Sequence, residues 1–140
     1  YFIYTEEDKN KEDLIYLTGL LNSKLINIYY RNFAITNRDA TPQLKKVDLD
    51  KFPIITPPKQ SKEKIMSIVL DLMKLQKPYL SICSKVANSD TSKKGYYDLV
   101  EEKTKMKVEI DKFELKLNEL VYELYGLSKD DIRIIEESLK

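Results

Sequence analysis

The sequence predicts a mainly α fold, α+β at most, with a central helix, a long antiparallel hairpin of heptad helices, a short C-terminal helix and one or two short edge strands. Three observations predict it. Apolar residues recur at helical spacing along most of the 140 residues. Two stretches keep a seven-residue apolar repeat on either side of a short polar loop. Only three Gly and five Pro are present, too few for a turn-rich all-β domain.

Residues 1–5, YFIYT, read as a short strand, and the polar run that follows grades into a helix whose positive end is favoured by Glu12 and Asp13. That helix is expected to run to about Phe33. Leu14, Leu17, Leu21, Leu25 and Ile28 share one stripe, thickened by Ile15, Ile26, Tyr30 and Phe33, so it belongs at the centre of the fold. Residues 34–46 form a polar connector. VDLDKFPII, residues 47–55, then suggests a short edge strand through Val47, Leu49, Phe52 and Ile54, since Pro53 has no N–H to give a central ladder. Pro57 and Pro58 stop the strand and force an extended exit, after which Ser61 caps a new helix with Glu63 in its first turn.

Ile65, Ile68, Leu72, Leu75, Tyr79, Ile82 and Val86 make the first heptad seam, with a kink expected near Pro78. Leu99, Lys103, Met106, Ile110, Phe113, Leu117, Leu120 and Leu124 make the second, polar only at Lys103. Joined by ANSDTSKKG, the two should fold back on each other as an antiparallel coiled-coil hairpin. Gly126 stands where a helix C-cap glycine belongs, with Leu127 placed for the hydrophobic contact beyond it. Ser128 and Asp131 read as a capping box for a final helix over 129–139, apolar at Ile132, Ile135 and Leu139. The organisation is therefore a strand–helix–strand unit over 1–60, a hairpin over 61–127 and a terminal helix over 128–140. With no initiator Met before Tyr1, the chain reads as a piece of a longer protein.

Chemistry is sparse. The sequence has no histidine, which removes the commonest general base and zinc ligand. Cys83 is the single cysteine, lies beside the first seam, and reads as a small buried hydrophobe. One cysteine makes no internal disulfide, which fits the cytoplasm, and no apolar run is long enough to span a bilayer. Three scattered glycines build no phosphate-cradling loop. Asp48 and Asp50 alternate beside Lys51, but nothing else supports a metal site. Thr56-Pro57-Pro58-Lys59 is superficially like the Asn/Asp-Pro-Pro-aromatic loop of adenine-N6 methyltransferases. Thr56 lacks the amide or carboxylate oxygen that accepts from the target base, and Lys59 offers no ring to stack on it. The fragment is therefore expected to be non-catalytic, with no cofactor or metal of its own.

The charge is uneven although the net is +1: residues 11–94 hold fifteen Lys/Arg against eight Asp/Glu, and residues 95–140 hold eight against twelve. Arg31, Arg38, Lys45, Lys46 and Lys51 cluster around the first connector, suited to phosphates, and Asn37 and Gln43 among them can read adenine edges. A solvated lysine-rich loop has the same composition.

Three stretches in this order carry a family likeness. Leu20-Leu21-Asn22-Ser23-Lys24, then Lys51-Phe52-Pro53-Ile54 followed by Pro57-Pro58, then Leu120-Val121-Tyr122-Glu123-Leu124-Tyr125-Gly126-Leu127 resemble the C-terminal specificity region of adenine-specific DNA methyltransferases. That region includes the TaqI-like C-terminal domain, and the group includes the fused type IIG restriction-modification enzymes. The likeness runs along nearly the whole chain, and residues 1–60 would be the C-terminal part of the target-recognition region. It implies a module that grips double-stranded DNA, with Arg31, Asn37, Arg38, Gln43, Lys45, Lys46 and Lys51 as contacts. By position Arg38, Lys45 and Lys46 fit best. The family's connector is often Gly-rich and this one has no glycine. The resemblance further implies that a separate catalytic methyltransferase domain of the same chain binds S-adenosylmethionine. A fragment of a type I restriction specificity subunit is a variant of this reading. The other alternative is an interaction module that self-associates through the hairpin seam without touching DNA.

Overall fold

A computed structural model describes residues 11–34, 49–91 and 94–138. Their regular structure is entirely helical: α1 (Lys11–Leu21), α2 (Lys24–Tyr29) running into a π-turn (Tyr30–Ala34), α3 (Lys59–Ala87), α4 (Tyr96–Leu124) and α5 (Lys129–Ser138). Among the described residues no helix is long and apolar enough to cross a membrane.

α3 and α4 pack along their length as the expected hairpin. Every seam residue named from the heptads is buried or half-buried, and Ile65, Ile82, Ile110 and Leu117 are fully buried. α1 lies across the base of this hairpin. Tyr16 and Leu20 of α1, Ile65 and Val69 of α3, and Leu117 and Val121 of α4 form the central cluster. α2 packs against both α4 and α5. Lys62 of α3 ties down the first turn of α1, at 2.7 Å from Asp13 and 3.7 Å from Glu12. The hydrogen bond it donates to Asp13 holds the Lys62 ammonium above its usual pKa.

Four expectations change. The single helix to Phe33 is two helices, broken at Asn22–Ser23. Ser23 is extended (φ −73°, ψ 152°) and its hydroxyl accepts from the Ile26 N–H while donating to the Leu20 carbonyl at 2.6 Å. Asn22 turns its side-chain amide back onto the Thr18 carbonyl at 2.8 Å. Short polar side chains of this kind compete with the helix for its own backbone groups and favour a cap. The break is also held from outside, since the Lys24 N–H donates to Asn118 Oδ1 at 2.8 Å.

The buried face of α1 also differs. Leu14, Leu17 and Leu21 are half-buried, and Tyr16, Gly19 and Leu20 are the residues fully enclosed. Gly19 decides this, because a helix without a Cβ there can sit directly on Ile65 and Val69.

The edge strand over 47–55 is replaced, from Leu49 onward, by a tight turn and an extended strap. Phe52 N–H bonds the Leu49 carbonyl at 3.1 Å, and no strand lies alongside among the described residues. Val47, Asp48 and the strand over 1–5 lie outside the described residues.

The next helix starts at Lys59, two residues before Ser61. Its cap is Pro58 (φ −56°, ψ 145°), whose ring presets the entry and whose carbonyl accepts from Lys62 N–H at 3.0 Å. The helix then runs unbroken through Pro78.

The C-terminal signals fold as read. Gly126 has φ +64°, its N–H bonds the Glu123 carbonyl, and Leu127 N–H bonds the Tyr122 carbonyl, both at 3.0 Å, which is a complete Schellman turn. The Ser128 N–H donates to Asp131 Oδ2 at 2.9 Å and the Asp131 N–H donates to Ser128 Oγ at 3.2 Å, a reciprocal capping box. Leu139 lies outside the described residues.

Candidate nucleic-acid interface

An aromatic contact underlies the two turns that carry Arg31 and Lys51. At the end of α2, Tyr29 and Tyr30 flank the Phe52 ring edge-on, with centroids 5.9 and 6.2 Å away. Phe52 is 9% exposed, so the turn Leu49–Phe52 is anchored by a buried side chain. The Tyr29 hydroxyl donates to the Lys51 carbonyl at 3.1 Å. These contacts bring the π-turn and the Lys51 turn together, and with them two of the sequence-derived candidates, Arg31 and Lys51, both exposed. The other five, Asn37, Arg38, Gln43, Lys45 and Lys46, lie outside the described residues, in the segment that leaves at Ala34 and returns at Leu49.

Beyond Lys51 the strap Pro53–Pro58 runs to α3. Two more tyrosines hold it. Tyr125, just past α4, donates to the Pro53 carbonyl at 2.7 Å, and Tyr16 of α1 donates to the Ile55 carbonyl at 3.0 Å. Burial, with Tyr125 nearby, pushes the Tyr16 hydroxyl up to about 12, and burial also raises Tyr125. Both therefore remain protonated donors across the physiological range. Sequence reading did not assign Tyr16 or Tyr125 to this region. Their partners lie 39 and 72 residues away, beyond any local pattern.

On the opposite side a polar cluster locks α2 to α4 and α5. Glu136 accepts from the Tyr122 hydroxyl at 2.9 Å and pairs with the Lys24 ammonium, while Asn118 bonds Lys24 N–H and the Glu114 carbonyl. Ser23 and Asn118, the buried polar residues among those described, are both hydrogen-bonded. Burial first, and then the Glu136 carboxylate, drives the Tyr122 hydroxyl well above its usual pKa.

Candidates for chemistry have structural places. Thr56 is exposed on the strap and Pro57 and Pro58 lead into α3. Cys83 is half-buried next to the Tyr79 hydroxyl. Among the described residues no three His, Cys, Asp or Glu side chains are grouped to hold a metal ion.

No curated protein and no solved structure matches the chain. Residues 1–54, which contain α1, α2 and the turn anchored by Phe52, match the family model of the TaqI-like C-terminal specificity domain.

Proposed function

We propose that this chain is a DNA-binding target-recognition module of an adenine-specific DNA methyltransferase or type IIG restriction-modification enzyme, non-catalytic in itself. The observation that carries the reading is the coincidence of the specificity-domain match over 1–54 with the cationic cluster of the sequence over 31–51. There Arg31 and Lys51 bracket the segment that holds Asn37, Arg38, Gln43, Lys45 and Lys46. The cations neutralise phosphates and the two amides read base edges. Methyl transfer belongs to a catalytic domain of the same protein, which binds S-adenosylmethionine. The acidic α4 faces away from the polyanion and braces the module. A cytoplasmic location follows from this partner.

Salt-titrated binding of a fluorescent duplex tests it. Five phosphate contacts give a log–log slope of about −4.5, so a fourfold rise in salt weakens binding roughly 500-fold. Lys51→Gln or Arg31→Gln lowers the slope by about 1 each. Salt-independent binding, or none at low salt, refutes the proposal.

One observation favours the second reading, an interaction module. The heptad seam is occupied within the chain, yet Leu70, Met73, Leu80, Val108 and Leu115 stand 40–60% exposed outside it. Self-association would use these outward residues, and sedimentation at high salt would reveal a dimer that persists.

A further inference from the structure

Three tyrosine hydroxyls, from α1, α2 and the end of α4, hold alternate carbonyls between Lys51 and Ile55. Tyr29 of α2 holds Lys51 at 3.1 Å, Tyr125 at the end of α4 holds Pro53 at 2.7 Å, and Tyr16 of α1 holds Ile55 at 3.0 Å. Between the first two, the buried Phe52 ring is wedged against Tyr29 and Tyr30. We propose that Tyr16, Tyr29 and Tyr125 are positioning residues for target recognition, a clamp that fixes the backbone over residues 51–55 so that Lys51 meets DNA in one register. The proposal rests on the DNA-binding reading above.

The arrangement suits positioning better than bulk stability. Lys51 and Pro53 are exposed, so water can replace a lost hydroxyl at two of the three carbonyls, while Ile55 is half-buried. The tyrosine rings remain packed when only the oxygen is removed. What water cannot replace is the fixed geometry: sequence readout requires side chains held to within about half an ångström by their supports. Three anchors on alternate residues leave Lys51 little freedom to shift, and two of the three belong to elements far from it in sequence. The hairpin thus takes part in recognition without touching DNA.

The test uses the full chain carrying Tyr16→Phe, Tyr29→Phe and Tyr125→Phe together, with Tyr122→Phe as a control whose hydroxyl bonds Glu136 instead of the strap. Wild type selects from a random-sequence duplex library. The affinity ratio between the selected and a scrambled duplex is then measured for each variant. The clamp predicts a tenfold or greater fall in that ratio for the triple variant, about 1.4 kcal/mol. Scrambled-duplex affinity and its salt slope should stay unchanged, and Tyr122→Phe should keep the wild-type ratio. An equal loss on both duplexes marks a merely structural role and overturns the proposal. Discrimination equal to wild type also overturns it while leaving the DNA reading intact. Failure of the wild type to bind or select any duplex removes the DNA reading and this proposal with it. Should the triple variant not fold, Tyr29→Phe alone, nearest Lys51, is read in the same way.

Discussion

Replacing Gly19 with alanine adds one methyl group where α1 rests on the hairpin. An ideal Cβ at this position would lie 2.8 Å from Ile65 Cγ2, 2.8 Å from Val69 Cγ2 and 3.4 Å from Leu117 Cδ1. Carbon atoms pack at about 3.5–4.0 Å, so two of these contacts are too short by roughly an ångström. The obstructing groups are γ-methyls of β-branched residues in a helix, which have essentially one comfortable rotamer. Both residues are almost completely buried, at 0% and 3% exposure, so neither has space to retreat. Relief must come from lifting α1 off the hairpin, and overpacking of this kind costs about 1–3 kcal/mol. Against it stands the intrinsic preference of alanine over glycine in a helix, about 1 kcal/mol. With two simultaneous clashes the first effect wins. Gly19→Ala is expected to destabilise by about 1–2 kcal/mol and to lower Tm by roughly 3–8 °C. Urea and thermal unfolding measure it. Removing the Val69 methyls should relieve part of the strain, so Gly19→Ala should cost about 1 kcal/mol less in a Val69→Ala background. A Gly19→Ala protein as stable as wild type, or strict additivity in the double variant, would show that α1 does not seat on Ile65 and Val69.

Two further substitutions probe the helices themselves. Pro78 is exposed inside α3 and leaves the Lys74 carbonyl without its helical donor, so Pro78→Ala should raise stability by about 1–3 kcal/mol. The urea midpoint should increase at constant m, and a decrease would contradict the reasoning. At α5, the Ser128 hydroxyl and N–H hold the Asp131 carboxyl below its usual pKa. A depressed folded pKa means stabilisation that is present above the unfolded value of about 3.9 and lost as pH falls through the folded one. Ser128→Ala should therefore loosen α5 at neutral pH, with the gap to wild type narrowing below about pH 4. Amide exchange in α5 at pH 7 and pH 3 reads this, and a pH-independent gap would contradict it.

What was legible in the sequence was what local periodicity and capping encode. The heptads identified the seam of each long helix, and they separated it from Leu70, Met73, Leu80, Val108 and Leu115, apolar residues that the fold leaves outside. Gly126, Ser128 and Asp131 carried the C-terminal turn in three residues. The Asn22-Ser23 break carried a cap signal as well, but it was masked by apolar residues continuing at helical spacing on both sides. The buried face of α1 had no local signal, because Leu14, Ile15, Tyr16, Leu17, Leu20 and Leu21 are apolar nearly all round. Only the close approach permitted by Gly19 selects Tyr16 and Leu20. The alternation in VDLDKFPII was misread because the strap takes its hydrogen bonds from tyrosine side chains instead of a neighbouring strand. Of the candidate interface, Arg31 and Lys51 were singled out from charge, and the Tyr29–Phe52 contacts bring their two turns together. Tyr16 and Tyr125, which hold the strap, were not, since their bonds join residues 39 and 72 positions apart.

The polar break between α1 and α2 also bears on the order in which the protein is assembled. Its start is finished by groups made much later, since Lys24 meets Asn118 94 residues downstream and Glu136 112 residues downstream. Contacts this distant in sequence form slowly, because a long loop must close before they give anything back. The hairpin has a short connection and close pairings, so it can form as a unit once both arms are synthesised. The residues around Lys24 are thus among the last of this module to settle. They wait for a template encoded behind them, so a truncation ending before Glu136 would disturb the opposite end of the chain most.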